Sequence, residues 1–256
     1  MSLSFISAFR EFEGEQDRIQ QSCMYSWKAN GIKVFVPINE EGIKEKCGED
    51  ITLVGGVQTG RDLGFNNRCP VVKDLILKAL PLIETETVAL INSDIIIDQD
   101  FSVKVKEIFN KYGQDIFMVG ARKDIDLKIF INTRETYLQV LSQEREIHNP
   151  STSSDIFIAS KAIWLRIANE MPPFLLGRFC WDNWLHLYAM ENNLRKYNCS
   201  NALLLLHCEH GYRHIEIQEN AGEGDAASTQ YNVELFGKRV APNILKWPRI
   251  ELYEKN

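Results

Sequence analysis

The chain has 256 residues, of which 45% are hydrophobic and 25% are charged, and these fractions are typical of a soluble globular protein with a substantial core. The net charge of -6 and the pI near 5.5 exclude a strongly basic protein. Because nucleic acids and anionic membrane surfaces attract basic proteins, we expect neither as a partner.

The apolar runs are all shorter than a membrane span, and the N-terminus lacks the basic start and the cleavage site of a secretory signal. The six cysteines are scattered along the chain without CxxC spacing. Such cysteines are typical of reduced, packed thiols rather than of disulfides. We therefore expect a cytoplasmic protein without a membrane span.

Strand and helix patterns alternate through the first half of the chain. Apolar runs predict strands at 3–9, 32–38, 51–57, 88–91 and 116–119. Helical spacing predicts helices at 15–29, 71–80 and 101–112, with Pro70 in the first turn of the second and Gly113 closing the third. This alternation implies parallel strands joined by right-handed crossovers, so we predict an α/β fold with a doubly wound, mostly parallel mixed sheet flanked by helices.

The second half of the chain is less regular. We predict helices at 136–145, at 161–169 and from Trp181 onward, and strands at 155–159 and 202–206. Polar residues predict loops at 149–154 and 219–228, and about the last thirty residues show no clear pattern. Since no internal repeat or clear linker divides the chain, we predict a single domain spanning 1–256.

A first polar cluster, Asn92, Ser93 and Asp94, directly follows the apolar strand 88–91. In open α/β sheets the ligand crevice lies beyond the carboxyl ends of the strands, so these groups are placed to bind substrate. A carboxylate at this point can hold a hard divalent cation and, through the cation, a diphosphate. The alternative is that Asp94 only caps a turn, or the helix that begins near 98–100.

A second cluster, GRFCWDNW, spans residues 177–184 and contains one carboxylate, Asp182, flanked by Trp181 and Trp184. Indole rings exclude water and offer flat apolar faces suited to sugar rings. A carboxylate among them is a candidate general base for a hydroxyl group. The alternative is that Asp182 caps the helix and that both tryptophans are core residues.

The third cluster comprises His207 and His210, which follow the last predicted strand, and His214 beyond them. Imidazole is a common neutral metal ligand, so one of these side chains is suited to complete a metal site begun by Asp94. A separate zinc site of the three histidines and Cys208 is disfavoured, because adjacent residues of a strand point to opposite faces. Otherwise the histidines are ordinary polar residues.

These clusters occur in the order found in a known family. A strand followed by NSDI, then Pro-Pro-Phe with GR and WDNW, and then a strand followed by HxxHGYxH resembles the nucleotide-diphospho-sugar glycosyltransferases of the GT-A fold, in particular a bacterial and viral type. The resemblance covers roughly residues 4–214. It implies a UDP- or GDP-type sugar donor, a glycan or other hydroxyl acceptor, a nucleotide-sugar half at about 1–122 and an acceptor and catalytic half at about 150–214.

The resemblance also implies roles for individual residues. Asp94 and His207 correspond to ligands of Mn²⁺ or Mg²⁺, and Asn92 stands where the family's DxD element has its first aspartate. Asp182 corresponds to the acid or base residue of inverting members. The further predicted substrate-binding residues are Phe9 and Arg10 at the nucleotide-base pocket, Arg61 and Lys73 near the diphosphate, and Asn92, Ser93, Arg178, Trp181 and Trp184.

One more carboxylate, Asp155, follows a polar loop and opens the predicted strand 155–159. A carboxylate at a strand start beside the crevice can accept two hydroxyl hydrogen bonds, so we expect its side chain to face the donor or acceptor sugar. The alternative is a loop-closing cap on Ser153 or Ser154.

We therefore predict an inverting glycosyltransferase that depends on a divalent metal ion. A first alternative is a non-catalytic nucleotide- or carbohydrate-binding protein on the same fold, because Asn92 replaces the first aspartate of the DxD element. A second is a sugar nucleotidyltransferase. Those enzymes rely on a Gly-rich, basic loop after the first strand, and ISAFREFEGE is not such a loop.

Overall fold

The computed structural model describes residues 2–38, 42–48, 51–143, 154–209 and 223–252. Within these ranges the strands are β1 (Leu3–Ile6), β2 (Lys33–Pro37), β3 (Ile51–Val54), β4 (Thr87–Ile91), β5 (Ile95–Ile97), β6 (Ile116–Gly120), β7 (Lys123–Ile125), β8 (Ile156–Ser160), β9 (Arg195–Asn198) and β10 (Leu205–Cys208). The helices there are α1 (Gly14–Ala29), α2 (Ile43–Cys47), α3 (Val72–Ala79), α4 (Phe101–Tyr112), α5 (Arg134–Leu141), α6 (Lys161–Glu170), α7 (Trp181–Glu191) and α8 (Glu223–Phe236). Short 3-10 turns lie at Gly60–Leu63, Leu80–Leu82 and Ile244–Lys246.

Seven strands form a central sheet in the order β3-β2-β1-β4-β8-β6-β9. Strand β8 runs antiparallel to both of its neighbours, β4 and β6, whereas the other pairings in this sheet are parallel. The predicted mostly parallel mixed sheet flanked by helices is confirmed. The direction of β8 was not foreseen, because a buried antiparallel strand carries the same continuous apolar run as a parallel one.

Helices cover both faces of the central sheet. Successive side chains of a strand point to opposite faces, and in β1 Phe5 contacts Trp27 of α1 and Phe101 of α4. Ile6 belongs to a second core cluster, which includes residues of α3, α6 and α7. On one face, the buried Trp27 donates a hydrogen bond from Nε1 to the carbonyl of Ile95 (2.9 Å). On the other, Trp164 donates from Nε1 to the carbonyl of Val88 (2.9 Å). Because both faces are buried, the strands have continuous apolar sequences.

A smaller sheet contains β5, β10 and β7 in that order. Strand β10 is antiparallel to β5 and parallel to β7. Since β5 follows closely after β4, and β7 closely after β6, this sheet lies at the carboxyl ends of two central strands. The sequence did not predict β5 and β7, because three-residue strands are too short to show a period. The prediction that His207 follows its strand was wrong, since β10 begins at Leu205 and includes that histidine.

Pro70 lies before α3 and not in its first turn, which corrects the predicted start of that helix. Val71 is the N-cap, and the helix begins at Val72. Pro70 instead pairs with Thr59 in an isolated antiparallel bridge that closes the loop between them. Backbone hydrogen bonds on both sides of Pro70 hold this pairing, from the N–H of Gly60 to the carbonyl of Cys69 (2.9 Å) and from the N–H of Val71 to the carbonyl of Gln58 (2.8 Å).

Helix α8 overlaps the predicted loop 219–228, so that prediction was wrong from residue 223 onward. The helix was not recognised because two polar side chains, Ser228 and Asn232, are fully buried on it where a typical amphipathic helix has apolar residues. The sequence also did not predict β9, the last strand of the central sheet, because Arg195 and Lys196 leave it without an apolar run.

Five cysteines have described side chains, and these form no disulfide with one another; they are Cys23, Cys69, Cys180, Cys199 and Cys208. In the described part of the chain, every helix is too short or too polar to cross a bilayer.

Gly120, the last residue of β6, lies where β6, β8 and β10 approach one another. A Cβ at this position would lie 2.6 Å from Cδ1 of Leu205 and 2.8 Å from Cγ2 of Ile156. We expect Gly120→Ala to lower the free energy of unfolding by about 1–3 kcal/mol, because overpacking forces these side chains to shift. Gly55→Ala is the control, since a Cβ there meets no atom within 4 Å. Chemical denaturation measures both, and equal stabilities would contradict the expected clash.

Candidate active site

The site lies at one edge of the central sheet, where β4 and β6 end and the antiparallel β8 begins. Ile156, the first residue of β8, pairs with Ile91 at the end of β4 and with Gly120 at the end of β6. The residue before β8 is therefore held between the residues that follow the other two strands. This topology places Asp155 between Asn92 and Arg122.

The carboxylate of Asp155 is held from both sides. Its Oδ1 accepts a hydrogen bond from Nδ2 of Asn92 (3.0 Å) and another from Nη1 of Arg122 (2.8 Å). The side chain is 1% exposed, and no partner of Oδ2 lies among the described residues. Burial raises the pKa of Asp155, and the charge of Asp94 raises it further, whereas Arg122 lowers it. The predicted contact of Asp155 with a sugar stays a prediction, since in this structure its neighbours cover it.

The smaller sheet brings His207 to the same edge. In β10, His207 pairs with Ile95 on one side and with Asp124 of β7 on the other. Its Nδ1 lies 2.7 Å from Oδ1 of Asp124, and its Nε2 lies 3.5 Å from Oδ2 of Asp94. Burial lowers the pKa of His207 and the carboxylates of Asp94 and Asp155 raise it; in sum the pKa lies above its usual value.

Arg122 links these two groups and was missed by the sequence reasoning, as was Asp124. Besides its bond to Asp155, Arg122 donates from Nε to Oδ1 of Asp124 (2.9 Å), the oxygen that also contacts His207. A signal was present, because Arg122 and Asp124 closely follow the predicted strand 116–119. The rule that singled out the residues after strand 88–91 applies equally there.

Asp182 lies in the first turn of α7. Cys180 is the N-cap, with a left-handed φ of 78°, so Asp182 is not the capping residue itself. Its Oδ1 accepts a hydrogen bond from the backbone N–H of Asn183 (2.8 Å). Burial raises the pKa of Asp182 to about 6, and the charge of Asp155 adds to this shift. A carboxyl group with such a pKa can accept a proton near neutral pH.

Both neighbouring tryptophans belong to the core. Trp181 and Trp184 are 7% and 6% exposed. Trp181 packs edge-on against Phe157, and Trp184 stacks on Tyr188 with ring centroids 4.9 Å apart. This placement matches the alternative interpretation of the two indoles as core residues, and it leaves little of either ring surface for a sugar.

Four further predicted residues lie on other elements than the carboxylate cluster, which comprises Asp94, Asp124 and Asp155. The ring of Phe9 is buried and stacks on Trp27, so of the two residues predicted to line the base pocket Arg10 is the exposed one. Arg61 is exposed in a 3-10 turn, and Lys73 is half-buried in the first turn of α3.

Helix α8 holds the loop that leads to Asp182. The side-chain amide of Asn232 donates to the carbonyls of Leu175 and Phe179 and accepts from the N–H of Leu175, at 2.9 to 3.0 Å. Arg178 donates from Nε to the hydroxyl of Ser228 (2.8 Å). Nothing in the sequence connects residues 223–236 with this loop, because the buried polar side chains of Ser228 and Asn232 hide the helical pattern.

A divalent cation of the kind implied by the resemblance fits the donor atoms of Asp94 and His207. Two ligands that bind one cation at about 2.1 Å in octahedral geometry lie roughly 3 Å apart, close to the 3.5 Å between Oδ2 and Nε2. In the described ranges no group of three or more His, Cys, Asp or Glu side chains is arranged to hold a metal ion. Mg²⁺ typically keeps several waters and binds substrate phosphates, so two protein ligands are sufficient. His210 and His214, like Ser153, lie outside the described residues.

Two cavities occur elsewhere in the described structure. One, of about 210 Å³, lies between α1 and the edge of β2 and β3. The other, of about 290 Å³, lies near the amino ends of β1 and β2. Neither is lined by a predicted site residue. We assign the site to the carboxylate cluster because chemistry requires convergent reactive groups, which these cavities lack.

No protein-family model and no curated protein sequence matches the chain. Similarity appears among solved structures. The crystal structure of residues 1–349 of S. aureus TarS in complex with UDP matches with a TM-score of 0.50 and 12% identity, over 92% of this chain and 70% of that one. A further crystal structure of S. aureus TarS matches with a TM-score of 0.50 and 14% identity, over 92% of this chain and 43% of that one. TarS is a GT-A-like glycosyltransferase, so this chain has a glycosyltransferase fold; at these identities the similarity shows the fold alone.

If the site binds a nucleotide sugar, as the resemblance implies, we expect Asp155→Asn to raise the KM for donor or acceptor about tenfold or more in a folded protein. An amide cannot balance the charge of Arg122, and a hydrogen bond to a charged group contributes about 1.5–3 kcal/mol. Steady-state kinetics measure the change. Asp115→Asn is the control, since Asp115 forms an exposed ion pair with Arg195. Unchanged KM values in Asp155→Asn would favour a purely structural role for this carboxylate.

Proposed function

We propose that the protein is a glycosyltransferase that moves a sugar from a UDP- or GDP-type donor to a hydroxyl group of a glycan or another acceptor. The observation that carries this proposal is the convergence of Asp94, Asp155 and His207 at one sheet edge, together with the raised pKa of Asp182. The glycosyltransferase fold and the UDP bound to TarS support a nucleotide-sugar donor.

Asp182 acts as the general base in this proposal. Its carboxylate takes the proton of the acceptor hydroxyl, whose oxygen attacks the anomeric carbon as the nucleoside diphosphate leaves. A single in-line displacement of this kind inverts the anomeric configuration. Asp94 and His207 would hold Mn²⁺ or Mg²⁺, which supplies positive charge to the leaving diphosphate when bound. Asp124 contacts Nδ1 of His207 and thereby directs Nε2 toward Asp94.

A non-catalytic binding protein is the alternative that a specific observation favours. Asn92 stands at the first acidic position of the DxD element, and its amide is engaged with Asp155. A protein that had lost the reaction but kept the crevice would have this arrangement. No observation favours a sugar nucleotidyltransferase. The bacterial and viral type of the family and the cytoplasmic location remain predictions.

Release of free nucleotide distinguishes an enzyme from a binding protein. Many glycosyltransferases slowly hydrolyse their own donor, so we expect the protein to release UDP or GDP from one member of a panel of nucleotide sugars in the presence of Mn²⁺. A thermal-shift screen of the same panel identifies which donor binds, because a ligand of the native state raises its stability. A donor that stabilises the protein without any turnover, with or without added acceptors, would favour the binding protein.

A further inference from the structure

Arg122 occupies the centre of the candidate site although no role has been assigned to it. It lies just after β6, and its side chain is 19% exposed. Its guanidinium contacts the carboxylates of Asp124 and Asp155, and a third carboxylate, that of Asp94, lies 3.5 Å from Nε2 of His207. Burying several like charges together is unfavourable unless a positive group is placed among them.

The guanidinium contacts two of these carboxylates with two different nitrogens. Nε donates to Asp124 (2.9 Å) and Nη1 donates to Asp155 (2.8 Å). Each of these carboxylates holds a second side chain with the same oxygen, since Asp124 contacts His207 (2.7 Å) and Asp155 accepts from Asn92 (3.0 Å). One planar group therefore connects the histidine on the smaller sheet with the residue that follows β4.

We propose that Arg122 is a positioning residue that orients His207 through Asp124 and fixes Asp155 against Asn92. The proposal rests on the proposed function, because it assigns to His207 the role of a metal ligand. When Asp124 accepts the proton of Nδ1, the lone pair of Nε2 faces Asp94, as metal binding by imidazole requires. The planar fork of arginine can make both contacts at once, and a lysine ammonium lacks this fixed geometry.

Whether replacement of Arg122 raises or lowers the metal affinity distinguishes a role in orienting His207 from a purely electrostatic role. Removing a positive charge near a cation site strengthens the attraction of the carboxylates for a cation, so electrostatics alone predicts tighter binding when Arg122 is replaced by a neutral residue. Loss of orientation predicts weaker binding. Replacement of residues that orient a metal-bound histidine typically lowers metal affinity 10- to 100-fold.

The test compares Arg122→Met, Arg122→Lys and the control Arg195→Met with the wild-type protein. Arg195 forms an exposed ion pair with Asp115 away from the site. Mn²⁺ is titrated alone and in the presence of UDP, and each variant is also melted without metal. We expect Arg122→Met to bind Mn²⁺ about 10- to 100-fold more weakly. Arg122→Lys should melt near the wild-type temperature and still bind Mn²⁺ about tenfold more weakly, and Arg195→Met should be unchanged.

Unchanged or tighter Mn²⁺ binding in either Arg122 variant overturns the proposal, as does a wild-type protein that binds no Mn²⁺ even with UDP. If Arg122→Met fails to fold, Arg122→Lys decides, because it retains the charge that the buried carboxylates need. Failure of the proposed function is a different result. It is a wild-type protein that binds Mn²⁺ and a nucleotide sugar but releases no nucleotide, and in that case weaker Mn²⁺ binding in the variants still supports the role of Arg122.

Discussion

Asp182→Asn is expected to fold and to bind the sugar donor normally, but to transfer sugar about 10²-fold or more slowly than the wild-type protein. The two side chains have nearly the same shape, and an amide oxygen can still accept the hydrogen bond from the N–H of Asn183. An amide cannot take up the proton of the acceptor hydroxyl. The substitution therefore separates the local structural role of Asp182 from its proposed role as a base.

The pH dependence of the wild-type rate and of the wild-type stability provides a second test of Asp182 as the base. A base with a pKa of about 6 must be deprotonated to act, so the wild-type rate is expected to fall as the pH falls through about 6. The contribution of Asp182 to the free energy of unfolding changes in the opposite sense. The folded-state pKa lies above the unfolded value, so the stability contributed by protonated Asp182 is present below pH of about 4 and is lost as the pH rises through about 6.

Above that range the wild-type protein bears a partly buried charge that Asp182→Asn lacks. We therefore expect the variant to be the more stable protein at pH 8, by on the order of 1–3 kcal/mol, and to be no more stable near pH 4. Single-turnover transfer, donor affinity and melting temperature at both pH values measure these effects. A fully active Asp182→Asn would contradict both the base assignment and the inverting stereochemistry that depends on it.

The residues that follow β4 could be placed in the site from the sequence because a buried apolar strand that stops on polar residues marks a crevice at a sheet edge. The same reasoning pairs Asp94 with His207, although the predicted strand 202–206 begins and ends before the observed β10 (Leu205–Cys208). The same reasoning could not bring Asp155 to Asn92. That contact depends on β8 being antiparallel, and a fully buried strand carries no sign of its direction in its sequence.

Arg122 and Asp124 show a different limit. Both follow a correctly predicted strand, but isolated charged residues after a strand are usually solvated, and only the pairing of β7 with β10 reveals that Asp124 meets His207. The tryptophans show the reverse error. Tryptophans that bind a sugar and tryptophans that pack in the core have the same spacing in a sequence. Only the position of α7 against the sheet shows that Trp181 packs in the core.

We expect Asp94→Ala to abolish the increase in donor affinity that Mn²⁺ produces in the wild-type protein. Asp94 is proposed to supply one of two protein ligands, and a single remaining imidazole is too weak a site to hold the cation against water. The affinity for Mn²⁺ is expected to fall about 100-fold or more, beyond the range typical of residues that only orient a ligand.

Two further variants locate the effect. Asp126→Ala removes an exposed carboxylate that pairs with Lys128, so it serves as the control for loss of negative charge in this region. His207→Gln keeps a polar side chain in β10 but removes the imidazole, and we expect it to lose the Mn²⁺ response as Asp94→Ala does. Because His207 is buried, its melting temperature is measured first. If donor binding in Asp94→Ala responds to Mn²⁺ as in the wild-type protein, Asp94 is not a metal ligand; if only His207→Gln keeps the response, the cation is held by Asp94 and the substrate without the histidine.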